Sequence, residues 1–214
     1  AKLLLIYLSN GKILAVHLKL TGRLLVRPKG APQDSWQHVT IALGGDKELR
    51  FADLRKFGWI KLIGKIELQK LLSEFGPEPL NDLDLKFFQK TLSSSGRAVK
   101  IVLMDQRKIS GIGNIYACDA LNLAKINPKR PAKGLTEKEA GSLFRAIEKV
   151  LQAGIKYRGA SDQHYLDALG HKGAYQEHFL VYNRAGKSCF NCAGEIKKTR
   201  LGGRGTYVCP VCQK

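Results

Sequence analysis

The sequence predicts an α+β chain of more than one domain: an antiparallel β part first, a helical part second, and a small cysteine-rich β-hairpin last. Three observations carry this reading. Apolar residues alternate in short runs over residues 3–64, the spacing changes to three and four after Lys65, and two Cys-x-x-Cys pairs stand near the C-terminal end. At 214 residues the chain can bury a sizeable core in one large domain or two ordinary ones.

In the first part, LLLIYLS, KILAVHLKL, GRLLVRP, HVTIAL, ELRFAD and GWIKLIG are short apolar or alternating runs separated by turns. Asn10-Gly11 is a hairpin signal, and Gly44-Gly45-Asp46 punctuates a later pair, so the strands read as antiparallel in a meander or sandwich. Six short strands are few for a closed sandwich, and 1–65 is assigned as an incomplete N-terminal β-sandwich. Helical spacing follows in IELQKLLSEF, LDLKFFQKTLSS, RAVKIVLMD and IGNIYACDALNLAKI, with Gly76-Pro77-Glu78-Pro79 marking a linker region placed at 66–85. Thr136 and Glu139 form a capping box opening TEKEAGSLFRAIEKVLQAGIKYR, whose Leu143, Ile147, Val150 and Leu151 share a core face. The helical domain is assigned to 86–180, including the loop SDQHYLDALGHKGAYQ beyond Gly159, and the cysteine-rich tail to 181–214. No internal repeat or low-complexity tract interrupts this order.

Lys plus Arg number 36 against 18 for Asp plus Glu, a net charge of +18 with a pI near 9.8. That is the footprint of a polyanion binder, with a basic but unselective surface as the alternative. Apolar content of 44% and charged content of 25% are those of a soluble globular protein. No apolar run approaches the ~20 residues of a membrane span. The opening AKLLLIYLSN lacks the marks of a secretory signal, so a cytoplasmic location is expected.

Cys189-x-x-Cys192 and Cys209-x-x-Cys212, sixteen residues apart, match the paired knuckles that set four thiolates tetrahedrally around one zinc ion. Two disulfides or a redox pair are the competing readings, disfavoured in a reducing compartment. Closure of all four positions by sulfur predicts a structural Zn2+. EIKKTRLGGRGTYV reads as two strands around Gly202-Gly203 with Arg200 and Arg204 at the tip. Arg204, between two glycines, could approach a phosphate, and a merely solvated arginine is the alternative. Cys118 reads as a small packed hydrophobe. Lys108-Ile109-Ser110-Gly111-Ile112-Gly113-Asn114 stands before a helical run, where glycines and helix N-terminal amides suit a phosphate. Asn114 could equally be a simple cap.

Four blocks resemble the formamidopyrimidine-DNA glycosylase family, bacterial base-excision enzymes that remove oxidised purines and cleave the abasic strand. MDQRKISGIGNIYACDAL at 104–121 resembles its helix-two-turns-helix, and VYNRAGKSCFNCAGEIKKTRLGGRGTYVCPVCQ at 181–213 resembles its zinc finger. HLKLTGRL at 17–24 and DLRKFG at 53–58 resemble two loops of its β domain. The blocks follow the family's order across nearly the whole chain.

The resemblance implies that Asn114 and Arg204 hold phosphates flanking the damaged nucleotide, with Lys108, Gly111 and Gly113 in the same DNA-binding turn. Arg55 and Phe57 match residues that enter the duplex, the arginine facing the orphaned cytosine and the phenylalanine wedging beside it. Leu20 stands where the third inserted residue is usually methionine, and 167–176 resembles the segment that folds over the extruded base. The implied partner is double-stranded DNA containing oxidised bases or abasic sites, met by a monomer without a membrane role in the bacterial cytoplasm, at the nucleoid. The RKFG block and the long loop favour formamidopyrimidine and 8-oxoguanine over the oxidised pyrimidines preferred by endonuclease VIII.

Two departures are expected to matter. The family's chemistry begins at a Pro-Glu-Leu-Pro-Glu terminus, whose proline amine attacks C1′ before β,δ-elimination, and no such motif stands here. About one helix and one or two strands are expected to be missing by typical element lengths, so these 214 residues are expected not to excise bases. A damage-binding module without a nucleophile is the alternative. Ser35 occupies the position of a family lysine that assists base excision, unless Lys29 reaches the site instead.

Overall fold

The structure is a computed structural model describing residues 2–161 and 165–214; Ala1, expected at a strand entry, and 162–164 of the expected loop lie outside the described residues. Its contacts divide into two compact units. One comprises Lys2–Ser73 with Gly154–Glu177, the other Glu74–Ala153 with His178–Lys214.

In the first unit the six runs form six strands: β1 Leu4–Tyr7, β2 Ile13–His17, β3 Gly22–Pro28, β4 Gln37–Ala42, β5 Lys47–Asp53 and β6 Trp59–Ile63. They make two three-stranded antiparallel sheets, β1-β2-β6 and β3-β5-β4. Asn10-Gly11 turns β1 into β2, with Gly11 in the left-handed region at φ 78°. Val16 of the first sheet shares a buried cluster with Leu24, Leu49 and Phe51 of the second, which makes the pair a sandwich. Ile13, Ala15 and Ile63 bury their side chains against Leu68 of α1, Lys65–Leu72. Arg50 closes the 29–36 loop by donating to Glu48, Asp34 and the Ala31 and Pro32 carbonyls. The second segment joins at the free edge of β3, where the Val26 N–H donates to the Ala168 carbonyl at 2.8 Å.

The second unit is helical: α2 Leu85–Ser93, α3 Val99–Leu103, α4 Asn114–Leu123 and residues 137–153 of α5 Glu137–Lys156. Asp84 caps α2 through the Phe87 N–H, and Thr136 and Glu139 make the expected reciprocal box at α5. Phe88, Val102, Leu103, Ile109, Leu121, Leu143, Ile147 and Val150 form its core, with Leu151 packed at the margin. Gly76 is required sterically, since a Cβ there would lie 2.3 Å from the Lys108 carbonyl oxygen. The tail forms the predicted hairpin, β7 Lys197–Leu201 and β8 Arg204–Val208, around Gly202 and Gly203, both at positive φ. No described helix is long and apolar enough to cross a membrane.

Candidate nucleic-acid interface and metal centre

The four knuckle cysteines converge as their spacing predicted. Their sulfurs all lie within 4.8 Å of one another, with Cys189 to Cys212 at 3.8 Å and Cys192 to Cys209 at 3.4 Å. Zinc–sulfur bonds of ~2.3 Å at tetrahedral angles put sulfurs ~3.8 Å apart, whereas a disulfide needs ~2.05 Å. The donor set therefore fits one structural zinc and not two disulfides. Burial alone would raise the Cys209 thiol, but N–H donation from Cys212 and Val211 and a bond from Cys192 bring it down to about 7. Cys212 is pushed up by burial and by the thiols around it. A dication, when bound, offsets that repulsion so that all four sulfurs ionise. Cys118 lies outside this group; it is buried with Val181, Ile196 and Tyr207 of the finger segment.

The turn before α4 is built by Gln106, whose amide accepts from the Gly111 N–H at 2.9 Å and donates to the Met104 and Ile112 carbonyls. Only Gly111 uses glycine's conformational freedom, at φ 88°; Gly113 is extended, at φ −107°, and is the N-cap itself. Asn114 is thus the first helical residue and not a cap. Its Nδ2 donates to the Gly205 carbonyl at 3.0 Å and its Oδ1 accepts from Lys100 Nζ at 2.6 Å. Lys100, 1% exposed, also donates to Thr206 Oγ1 at 2.7 Å and approaches the Gly205 carbonyl at 3.4 Å. Burial lowers its pKa, with partial compensation from the Cys118 thiol it touches. Asn114 therefore joins the finger hairpin at the residue following Arg204, whose own side chain is exposed. Lys108 is half-buried in the same turn.

The other predicted contacts lie on two loops of the β unit. Leu20 and Phe57 are each 54% exposed, unusual for large apolar side chains, and the Arg55 guanidinium lies over the Phe57 ring at 4.8 Å. Lys19, before Leu20, and Lys56, between Arg55 and Phe57, hold φ of 51° and 57°, strain that must be maintained by their surroundings. Buried Asp53 supplies that support. Its carboxylate accepts the Arg55 N–H at 3.2 Å, the Gly58 N–H at 2.7 Å and the Thr21 hydroxyl, tying the two loops together. Desolvation raises the Asp53 carboxyl, but these donors and the Phe57 N–H outweigh it and hold it below the ordinary carboxylate value. Ser35 is exposed on the turn entering β4, and Lys29 is exposed on the separate turn ending β3. Asp167 folds the following loop by accepting from the Leu169 and His171 N–H groups.

Sequence reasoning missed Lys100, Gln106 and Asp53 as supports, although each lay in or beside a quoted motif. The available signal was chemical mismatch: a lysine within the apolar RAVKIVL turn, and an aspartate ending a β strand.

A β-sandwich unit, a helix-two-turns-helix and a four-cysteine hairpin bonded to it define a zinc-stabilised protein of the DNA-repair glycosylase class. Three family models match: the formamidopyrimidine-DNA glycosylase N-terminal domain over residues 1–60, its H2TH domain over 75–165, and the zinc finger found in FPG and IleRS over 186–214. The formamidopyrimidine-DNA glycosylase of Pelotomaculum thermopropionicum is 45% identical over 216 residues, covering 100% of this chain and 78% of the relative. That of Carboxydothermus hydrogenoformans is 44% identical over 214 residues with the same coverage. Lactococcus lactis Fpg in complex with abasic-site DNA superposes with a TM-score of 0.92 at 35% identity, covering 100% of this chain and 79% of that one. The same enzyme with DNA containing Fapy-dG gives 0.90 at 34%, with equal coverage. The chain belongs to the formamidopyrimidine-DNA glycosylase family.

Proposed function

We propose that this chain serves base-excision repair within the DNA glycosylase and AP lyase function of its family by recognising formamidopyrimidine, 8-oxoguanine and abasic sites in duplex DNA. Its 214 residues carry no Pro-Glu-Leu-Pro-Glu motif, so they are assigned the grip on damaged DNA and not the excision step. The observation that carries the reading is the 3.0 Å bond from Asn114 to Gly205, which brings two motifs 91 residues apart into one basic surface. On this reading Asn114 offers its remaining Nδ2 proton to one phosphate, and the adjoining α4 amides favour the same charge. Arg204 takes the neighbouring phosphate, while Lys108 and the Gly111–Gly113 backbone line the approach. These contacts position the duplex without reading sequence.

Damage is read in the β unit. Unstacking a base costs a few kcal/mol and less at a lesion, so an exposed apolar wedge selects weakened sites. Leu20 and Phe57 fill the vacated stack and Arg55 faces the orphaned base, held ready by the Asp53 loop support. The protein works as a monomer in the bacterial cytoplasm, without a membrane partner.

The test is fluorescence anisotropy of the zinc-loaded chain with a duplex carrying a tetrahydrofuran abasic analogue, competed by undamaged duplex and by structured RNA. At least tenfold preference for the abasic duplex is expected. Equal affinity for undamaged duplex, or better competition by RNA, overturns the reading.

A further inference from the structure

Helix α4 meets the finger along one face. Asn114, Cys118 and Asn122 fall at four-residue intervals, and each touches the finger segment: Asn114 at Gly205, Cys118 in the cluster of Val181, Ile196 and Tyr207, and Asn122 at the cysteine knuckles. Asp119 adds to this face by accepting the Val181 and Tyr182 N–H groups at 3.0 and 3.1 Å.

At Asn122 the bonding is polar although the residue is 2% exposed. Its Nδ2 donates to Gln213 Oε1 at 3.1 Å and points toward Cys189 Sγ at 3.9 Å, while its Oδ1 accepts from Asn191 Nδ2 at 3.3 Å. Gln213, 1% exposed, accepts the Cys209 N–H at 2.8 Å and donates to the Ile126 carbonyl at 2.9 Å. One amide thus reaches both knuckles, the first through Cys189 and Asn191, the second through Gln213 and Cys209. Burying two amides in an apolar junction is unfavourable unless their bonds are made, and here both ends of each are used.

We propose that Asn122 governs how tightly the four-cysteine site holds zinc and couples that site mechanically to α4. Two physical effects support it. Four thiolates around one dication leave excess negative charge, and an N–H aimed at a sulfur relieves part of it. The Asn122–Gln213 pair also fixes the separation of the two knuckles, so the four sulfurs are held together before the metal binds. Groups of this kind outside the ligand set change metal affinity by about 10- to 100-fold.

The test uses the full zinc-loaded chain and measures transfer of zinc to a chromogenic chelator, which needs no DNA and so fails or succeeds independently of the proposed repair function. Asn122→Leu is expected to release zinc 10- to 100-fold faster. Asn191→Ala, at an exposed position whose side chain donates to Asn122, is expected to release it several-fold faster. The cobalt-substituted Asn122→Leu protein should show a shifted thiolate-to-cobalt charge-transfer band, because Cys189 loses a donor. Release rates within twofold of the parent for both variants overturn the proposal. Faster release that merely tracks global unfolding, with the cobalt spectrum unmoved, overturns it as well.

Discussion

Replacing Lys100 with methionine isolates what a buried charge does at the proposed phosphate site. The side chains are similar in length, so Lys100→Met leaves the apolar stem packed and removes only the ammonium. Three oxygen acceptors are affected, and they differ in what remains. Thr206 Oγ1 keeps its bond to the Arg204 carbonyl at 3.2 Å, and the Gly205 carbonyl keeps the Asn114 amide at 3.0 Å. Asn114 Oδ1 loses its 2.6 Å partner. One orphaned acceptor costs about 1–3 kcal/mol, but removing a buried ammonium relieves desolvation of comparable size. Stability is therefore expected to change by less than about 2 kcal/mol. DNA affinity should change more, because Asn114, no longer clamped through its Oδ1 by Lys100, loses the fixed orientation that aims its Nδ2 at a phosphate. Loss of that one bond, about 1–2 kcal/mol, weakens abasic-duplex binding roughly 5- to 30-fold. Lys100 is 1% exposed and reaches no phosphate, so the slope of log K against log salt should not move. In an Asn114→Ala background Lys100→Met should cost nothing further. Anisotropy titrations across a salt series measure both quantities. A slope reduced by about 0.9 would show Lys100 to be a direct phosphate contact and refute the reasoning, as would additive losses in the double variant.

Arg204→Ala supplies the contrast: it should weaken binding to damaged and undamaged duplexes alike and lower the salt slope by about 0.9, while urea unfolding stays unchanged because the side chain is exposed. Asp53→Asn should destabilise the β unit by about 2–3 kcal/mol, since charge-assisted bonds to Arg55, Gly58 and Thr21 are lost together. The Asp53 carboxyl is held below its ordinary 3.8, so its contribution is complete above that pH and disappears as the pH falls through the folded value. Acid unfolding should accordingly be shallower in the variant, and an unaltered acid limb would count against the loop support. His17 is lowered from 6.5 to about 4 by burial and by Lys19 and Lys2, and its Nδ1 accepts the Lys19 N–H at 3.0 Å. The folded state therefore binds fewer protons than the unfolded one. Stability is full above 6.5 and declines as the pH falls toward 4, by no more than about 3 kcal/mol. Urea midpoints at pH 7 and pH 4.5 should converge in His17→Asn; the same pH dependence in both proteins would exclude the histidine.

The sequence by itself determined those features whose physics is local. Short apolar or alternating runs bounded by turn residues placed all six strands, because a strand's length and the two faces of its pleat are written within a few consecutive residues. Asn10-Gly11 set a hairpin, Thr136 and Glu139 a helix start, and the paired knuckles a metal site, each through partners a few residues apart. Leu20, Arg55 and Phe57 were identified by resemblance to family loops, and the structure displays two of them as exposed apolar side chains. Tertiary structure alone decided how the strands divide between two sheets, since antiparallel hairpins are compatible with several orders. It also decided that Asn114 is clamped between Lys100 and the finger and does not cap its helix, that Asp53 secures the loop of Arg55 and Phe57 together with Thr21, and that Asn122 meets the zinc knuckles. The reason is common to them: apart from the local Asp53 bonds to Arg55 and Gly58, the deciding partners lie from 14 to 106 residues away, as from Lys100 to Asn114 and to Thr206. A buried polar group must be satisfied wherever its neighbours come from, and no periodicity along the chain records which distant residue will do so.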